Sequence, residues 1–263
     1  MPAPSSSRAK RLAALRAEVQ AIESAGAAKR RECLSFGVDE IDRRLEGGGL
    51  PIAALHEVTG QRPGLSDDAA ACLFAAGIAA RREGQVLWAL ARRDLFAPGL
   101  ALAGLGPDRV IYAECRTDED VLAVMEEGLR HGGLAAVIGE IGRAAMASTR
   151  RLQLASEERG TTALMLKRWR KVEEDPLGPP SAAVTRWRIG CAPSSPLPVE
   201  DGIGRPRWRI ELARQRGGPP FQWVMEASDA QGRLALPSEP AHRSAVAELE
   251  APAFTNGIRY AEA

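Results

Sequence analysis

The sequence predicts an α/β fold, a mainly parallel central sheet flanked by helices, with antiparallel strands added at its C-terminal end. Three observations carry this. Between Ala53 and Lys167 short apolar runs alternate with helix-length stretches, the pattern of a doubly wound sheet. The first run leads through a glycine-bearing loop straight into an alanine-rich helix. Beyond Pro176 the helical stretches stop, and short strands of period-two alternation follow, separated by Pro and Gly turns.

In order along the chain, residues Arg8 to Arg31 carry seven Lys and Arg against two Glu, and Leu12, Leu15, Val19 and Ile22 recur at a 3-4-3 spacing. That spacing predicts one basic amphipathic helix within residues 1–32, available for a homotypic or heterotypic contact or folded back on its own core. A core over residues 33–236 follows. It opens with Val38-Asp39-Glu40-Ile41-Asp42 and a glycine turn, Gly47-Gly48-Gly49-Leu50-Pro51, before a strand from Ala53 to Val58. After the loop from Gly60 to Gly64, a helix begins at about Asp67, with Asp67 as its expected cap. Strands are then expected at Val86–Leu90, Val110–Ala113, Leu134–Ile138 and Thr162–Lys167. Between them lie helices around Ala97–Ala103, Asp118–Arg130 with Asp118 as cap, and Ser148–Glu158. Asp229-Ala230-Gln231-Gly232 reads as a turn between Phe221–Ala227 and Arg233–Leu236. The tail, 237–263, is rich in Pro, Ser, Ala and Glu and shows no amphipathic period, so it is expected to be disordered, with Phe254 to Tyr260 as a candidate binding motif.

Composition narrows the function. With 263 residues, 45% of them hydrophobic, the chain can bury one sizeable core. It has no run of about 18 apolar residues and no secretory leader, which points to a cytoplasmic protein without a membrane partner. Cys33, Cys72, Cys115 and Cys191 lie far apart with no C-x-x-C pair, so free thiols are expected and no metal.

The loop after the first strand has the context of a phosphate-binding loop but not its chemistry. Such a loop needs close glycines, a lysine and a hydroxyl, G-x-x-x-x-G-K-[ST], to surround and neutralise phosphates. Counting from Gly60 and past Gly64, the second glycine position holds Leu65, the lysine position Ser66 and the hydroxyl position Asp67, with Asp68 behind. Two carboxylates suit a helix N-terminus, yet they would repel a triphosphate.

The flanking residues Gly37, Ile41, Asp42, Gly48, Gly49, Leu50, Pro51, Glu57, Val58 and Gly60 match the segment that leads into the phosphate loop of the RecA ATPase core. With HEV, the lysine-free loop, LWALARRDLFAPGLALAGL and RIELARQRGG, the chain resembles the ImuA family of SOS-associated RecA-like proteins from about Leu34 to Leu236. The resemblance implies a RecA-like core whose C-terminal antiparallel strands extend the sheet. In that core a glutamate after the next strand activates water; here Arg92 and Arg93 follow it. Glu140 falls where the family puts a magnesium-associated Asp, and it reads either as a residual metal ligand or as a solvated strand-end carboxylate. Catalytic residues and cofactors are therefore expected to be none, and the chain not an enzyme. The implied role is an accessory one in error-prone lesion bypass. Its partners would be an ImuB-like inactive Y-family polymerase relative and an error-prone C-family DNA polymerase, with RecA and single-stranded DNA as further candidates. A RecA-type ATPase with an unorthodox loop and a stand-alone single-strand DNA-binding module stand as alternatives.

Fifteen Lys and Arg face eight Asp and Glu between Gly142 and Arg216. Strand alternation puts Trp187 and Trp208 on one face and their arginine neighbours on the other, giving a basic stripe or simply a charged face that resists edge pairing. Lys167-Arg168-Trp169-Arg170 is the prime single-strand DNA candidate, since a Trp can stack a base; Arg150 and Arg151 are further candidates. Arg207, Arg209, Arg214 and Arg216 join the N-terminal helix as candidate partner contacts, the last two falling where recombinases carry a basic pair that reaches a neighbouring subunit.

Overall fold

The computed structural model describes residue 11 and residues 32–194 and 203–237. The expected helix bearing Leu12, Leu15, Val19 and Ile22, and nearly all of the 237–263 tail, lie outside the described residues. Ten strands and five α-helices are described. A two-stranded antiparallel pair, β1 (Cys33–Leu34) and β2 (Leu50–Pro51), precedes the main sheet. The main strands are β3 (Leu55–Gly60), β4 (Val86–Leu90), β5 (Val110–Glu114), β6 (Ala136–Ile141), β7 (Thr162–Lys167), β8 (Thr185–Ala192), β9 (Arg207–Gln215) and β10 (Phe221–Glu226). Helices α1 (Asp39–Asp42), α2 (Leu65–Ala80), α3 (Ala97–Leu102), α4 (Asp118–His131) and α5 (Met146–Arg159) fill the connections, with a 3-10 turn at Pro107–Arg109.

The eight strands run in the order β10-β9-β8-β3-β7-β6-β4-β5. From β8 to β5 every pairing is parallel, while β9 and β10 are antiparallel. The mainly parallel sheet flanked by helices, extended by C-terminal antiparallel strands, is the architecture expected. Because the chain leaves β3 and returns at β4, with β7 and β6 inserted between them, the carboxyl ends of these strands form the crevice where open α/β sheets bind ligands.

Two apolar layers hold the sheet. Phe36, Phe74, Trp88, Trp187 and Trp208 cluster beneath α2 on one face, and Leu55, Val121, Met125, Leu129, Val137 and Met165 beneath α4 and α5 on the other. Phe74 meets Trp187 at a centroid distance of 5.6 Å and Trp208 at 6.4 Å, which explains the inward face of the antiparallel strands. The glycine turn before β2 is required by its geometry. Gly47 and Gly48 sit at φ +83° and +77°, and a Cβ on Gly49 would lie 2.7 Å from the Leu34 carbonyl oxygen. Asp42 fixes the preceding segment by accepting hydrogen bonds from Ser35 Oγ, Phe36 N and Gly37 N.

Several elements differ from the sequence reading. The strand carrying Glu140 spans Ala136–Ile141 rather than Leu134–Ile138, and Met125 packs against its backbone at Gly139. The cap of α4 is Thr117, whose hydroxyl accepts from Asp120 N while the Asp120 carboxylate accepts from Thr117 N; Asp118 is freed for another use. Nor does Asp67 cap α2, whose N-cap is Gly64.

Candidate functional site

The loop between β3 and α2 lies in the crevice. A Cβ on Gly60 would come within 3.0 Å of the Asp67 backbone, so the strand end and the first turn of α2 touch, as a phosphate loop requires. Two of the backbone N–H groups of this loop are nevertheless engaged. Gln61 N donates to Ile189 O at 2.8 Å, and Arg62 N donates to Asp67 Oδ2 at 3.0 Å. Pro63 has no N–H. The other Asp67 oxygen accepts from Cys191 N at 2.8 Å, so this one carboxylate binds the loop to itself and to the end of β8.

A guanidinium fills the place beside it. Arg168, just past β7, donates from Nε and Nη2 to Glu140 Oε2 at 3.0 and 2.6 Å. It also lies 3.5 Å from Asp68 Oδ2 and 3.6 Å from Asp94 Oδ1. Glu140 is 4% exposed, and its second oxygen accepts from Trp88 Nε1 at 2.8 Å. The solvated reading of Glu140 is thus corrected, since its carboxylate is sealed between an indole and a guanidinium. Burial pushes the Asp68 carboxyl up, opposed by Arg168 and Arg92. Burial works against the Arg168 charge, while Glu140 and Asp68 favour it; burial pushes the Cys72 thiol up to about 12, so it stays neutral. Trp169 then roofs the loop, donating from Nε1 to Gly60 O at 2.9 Å.

This geometry redefines the expected DNA motif. Lys167 is buried on the opposite face of the sheet, where Nζ lies 3.6 Å from Glu57 Oε1. Arg186 Nε donates to the other Glu57 oxygen at 2.6 Å, closing a buried triad. Burial lowers the Lys167 pKa while Glu57 opposes that shift. Arg170 is exposed but pairs with Asp118 Oδ2 at 2.7 Å, and the same oxygen accepts from Gly142 N and Arg143 N. Arg150 is exposed on α5, whereas Arg151 ties that helix to α4 through Glu126 at 3.0 Å. Lys167 is thus turned away from Arg168, whereas Arg168 and Arg170 line one pocket together with Glu140 and Asp118. The basic face of the antiparallel strands is reduced likewise. Arg186 is buried, Arg188 pairs with Asp175 and Glu211, Arg207 is half-buried, and half-buried Arg209 donates to Gln61 Oε1 at 3.2 Å. Arg214 and Arg216 are exposed.

A nucleotide with its magnesium does not fit these residues. The carboxylate at the end of β6 is already neutralised by a side chain of the same protein, and Ser66 and Asp67 provide no cation for phosphate. No group of three or more His, Cys, Asp or Glu among the described residues is arranged to hold a metal ion. Sequence reasoning missed the Glu57–Lys167–Arg186 triad, although a glutamate inside the apolar run Leu55–Val58 signals a buried counter-charge.

The strand order, the loop in the crevice and the antiparallel extension define a RecA-like protein. The crystal structure of the RadB recombinase superimposes with a TM-score of 0.53 at 15% identity, covering 77% of this chain and 98% of that one. No protein-family model matches the sequence. Protein ImuA of Caulobacter vibrioides, in strains NA1000 / CB15N and ATCC 19089 / CIP 103742 / CB 15, is 41% identical over 207 residues, which span 75% of this chain and 84% of the relative. The chain belongs to the ImuA family. Among the described residues no helix is long and apolar enough to cross a membrane.

Proposed function

We propose that this protein is a non-enzymatic RecA-like accessory of SOS-associated mutagenesis, a scaffold that bridges or regulates an ImuB-like protein and an error-prone C-family polymerase. Family membership supports the setting. The observation that carries the non-enzymatic part is the Arg168 guanidinium on Glu140 and Asp68, an internal cation where a nucleotide's metal would need to enter. Hydrolysis of a phosphoanhydride needs positioned phosphates, a metal or equivalent charge and a water-activating base. The positions that would supply these hold, in turn, an acid, an ion-paired carboxylate and arginines.

Isothermal titration of the full chain with Mg-ATP tests the first part: no saturable heat is expected up to about 1 mM, a weak-binding limit near −4 kcal/mol. Saturable micromolar binding that Gly60→Ala abolishes would reject it. Co-purification with the two polymerase-type partners tests the second part. Deleting residues 1–31, or everything after Pro196, is expected to lose a partner; retention of both partners by both truncations would sink the scaffold reading.

A further inference from the structure

The two edges of the main sheet are finished differently. At one edge β10 is guarded: Glu226 N donates to Ala235 O at 2.8 Å, so its end is already paired, and Pro237, two residues on, has no N–H to offer. At the other edge β5 closes the strand order, and no described residue pairs with its outer side. β5 runs in unbroken register with β4, from Val86 opposite Val110 to Leu90 opposite Glu114. It contains no Lys, Pro or Gly, and its one charge, Glu114, is paired with Arg93. Ile111 is 49% and Tyr112 42% exposed. Proteins ordinarily blunt an apolar edge of this kind with charge, proline or a bulge, because its open N–H and C=O groups are a template for another strand.

The chemistry of this edge selects its partner. Cys115 N donates to Leu90 O at 2.9 Å, which turns the backbone groups of Ile111 and Ala113 towards β4 as well and leaves those of Val110, Tyr112 and Glu114 facing out. Outward groups at every second residue, centred on Tyr112, are complementary to an antiparallel copy of themselves. We propose that β5 pairs with β5 of a second copy of this chain about a two-fold axis at Tyr112, joining the two sheets into one. In that register Val110 opposes Glu114 of the other copy, about six backbone hydrogen bonds form, and Ile111 lies beside the other Ala113. Asp108 then falls opposite Arg116 at both ends of the pairing. Both residues are exposed and make no ion pair among the described residues, so each supplies the charge that the other lacks. Slipped by two residues, Asp108 would instead meet the other Glu114, so charge fixes the same register as the hydrogen bonds. From Asp108 to Arg116 two acids stand against two arginines, of which Arg109 is tied back to the carbonyls of Ala80 and Gly84, and no net charge holds the copies apart. The pairing uses no residue of the closed crevice, and it does not rest on the accessory role.

Analytical ultracentrifugation of the full chain at about 0.1 M salt is the test. A reversible species of twice the 28.1 kDa of one chain is expected. Tyr112→Lys, which sets two like charges on the axis, is expected to weaken dimerisation at least about tenfold. Asp108→Arg and Arg116→Asp are each expected to weaken it about tenfold, and the two combined in one chain to restore it, since the swap returns opposite charges to both ends. All three positions are exposed, so the variants should keep the wild-type circular dichroism. A chain that stays monomeric at about 100 μM overturns the proposal. A dimer indifferent to Tyr112→Lys overturns it as well, and so does a double charge swap that fails to recover. A dimer seen only after residues 1–31 or 238–263 are deleted overturns it by giving the edge to a segment of the same chain. A mass that climbs past two chains with concentration overturns it in favour of head-to-tail pairing.

Discussion

Arg168 reaches Glu140 across the carboxyl ends of β7 and β6, with Nη2 2.6 Å from Oε2, and both side chains are largely withdrawn from water. The pair is held from both sides, because Trp88 donates to the free oxygen of Glu140 and the Arg168 amide donates to Ile141 O. An ion pair so enclosed is costly to break on one side and much less costly to replace as a whole.

Arg168→Ala should therefore lower unfolding stability by about 3–5 kcal/mol, because Glu140 and Asp68 lose their counter-charge. Arg168→Met combined with Glu140→Gln should recover most of that loss. Urea unfolding of the single and double variants measures both; a single variant as stable as wild type would show that the pair is idle.

His56 gives a pH dependence of definite sign. Trp187 Nε1 donates to Thr185 Oγ1, the Thr185 hydroxyl sits 2.7 Å from His56 Nδ1, and His56 Nε2 lies 2.8 Å from the Pro51 carbonyl. That carbonyl can only accept, so the chain fits a neutral imidazole protonated at Nε2. Burial lowers the pKa to about 4 from 6.5, with the Pro51 contact opposing. The folded state thus binds its proton later than the unfolded state. The contribution is fully present above pH 6.5 and is lost as pH falls towards 4, about 3 kcal/mol in all. The stability difference between wild type and His56→Gln, followed by urea melts from about pH 7.5 to about pH 4, should shrink by that order; a pH-independent difference would refute the assignment.

Within the buried triad, Glu57→Gln leaves Lys167 and Arg186 facing each other and should cost about 3–5 kcal/mol. Lys167→Met in that background should relieve part of the cost, giving a coupling of about 1 kcal/mol or more in a double-mutant cycle. Strict additivity would mean that the 3.6 Å approach of Lys167 to Glu57 carries nothing.

If single-stranded DNA binds at all, exposed arginines rather than the Lys167–Arg170 segment should carry it. Arg214→Ala with Arg216→Ala is expected to reduce the slope of log affinity against log salt by about 1.4, roughly 0.7 for each phosphate of a single strand that an arginine no longer neutralises. Arg150→Ala, alone on another face, should leave the slope unchanged. A slope unaltered by the double variant would place DNA elsewhere on the molecule.

The sheet was largely legible because its strands are uninterrupted apolar runs: Val86–Leu90 and Thr162–Lys167 have the limits expected. The sequence also showed that the loop lacked its lysine. What it did not show is where the charges went. Arg186 meets Glu57 across 129 positions and Cys191 meets Asp67 across 124, separations at which alternation carries no information. A count of fifteen cations against eight acids therefore described a basic stripe, while Lys167, Arg168, Arg186 and Arg188 were spoken for from inside the fold. For the same reason α4 was given Asp118 as its cap; the residue before it makes the capping box, and Asp118 instead fastens Gly142, Arg143 and Arg170.

The closure of the loop also bears on redesign. A lysine placed at Ser66 would enter a crevice where Arg168 still holds Glu140 and Asp68, and removing Arg168 alone leaves those acids bare. Opening this crevice to a polyanion therefore takes concerted substitutions, because each one made singly strands a charge inside the fold.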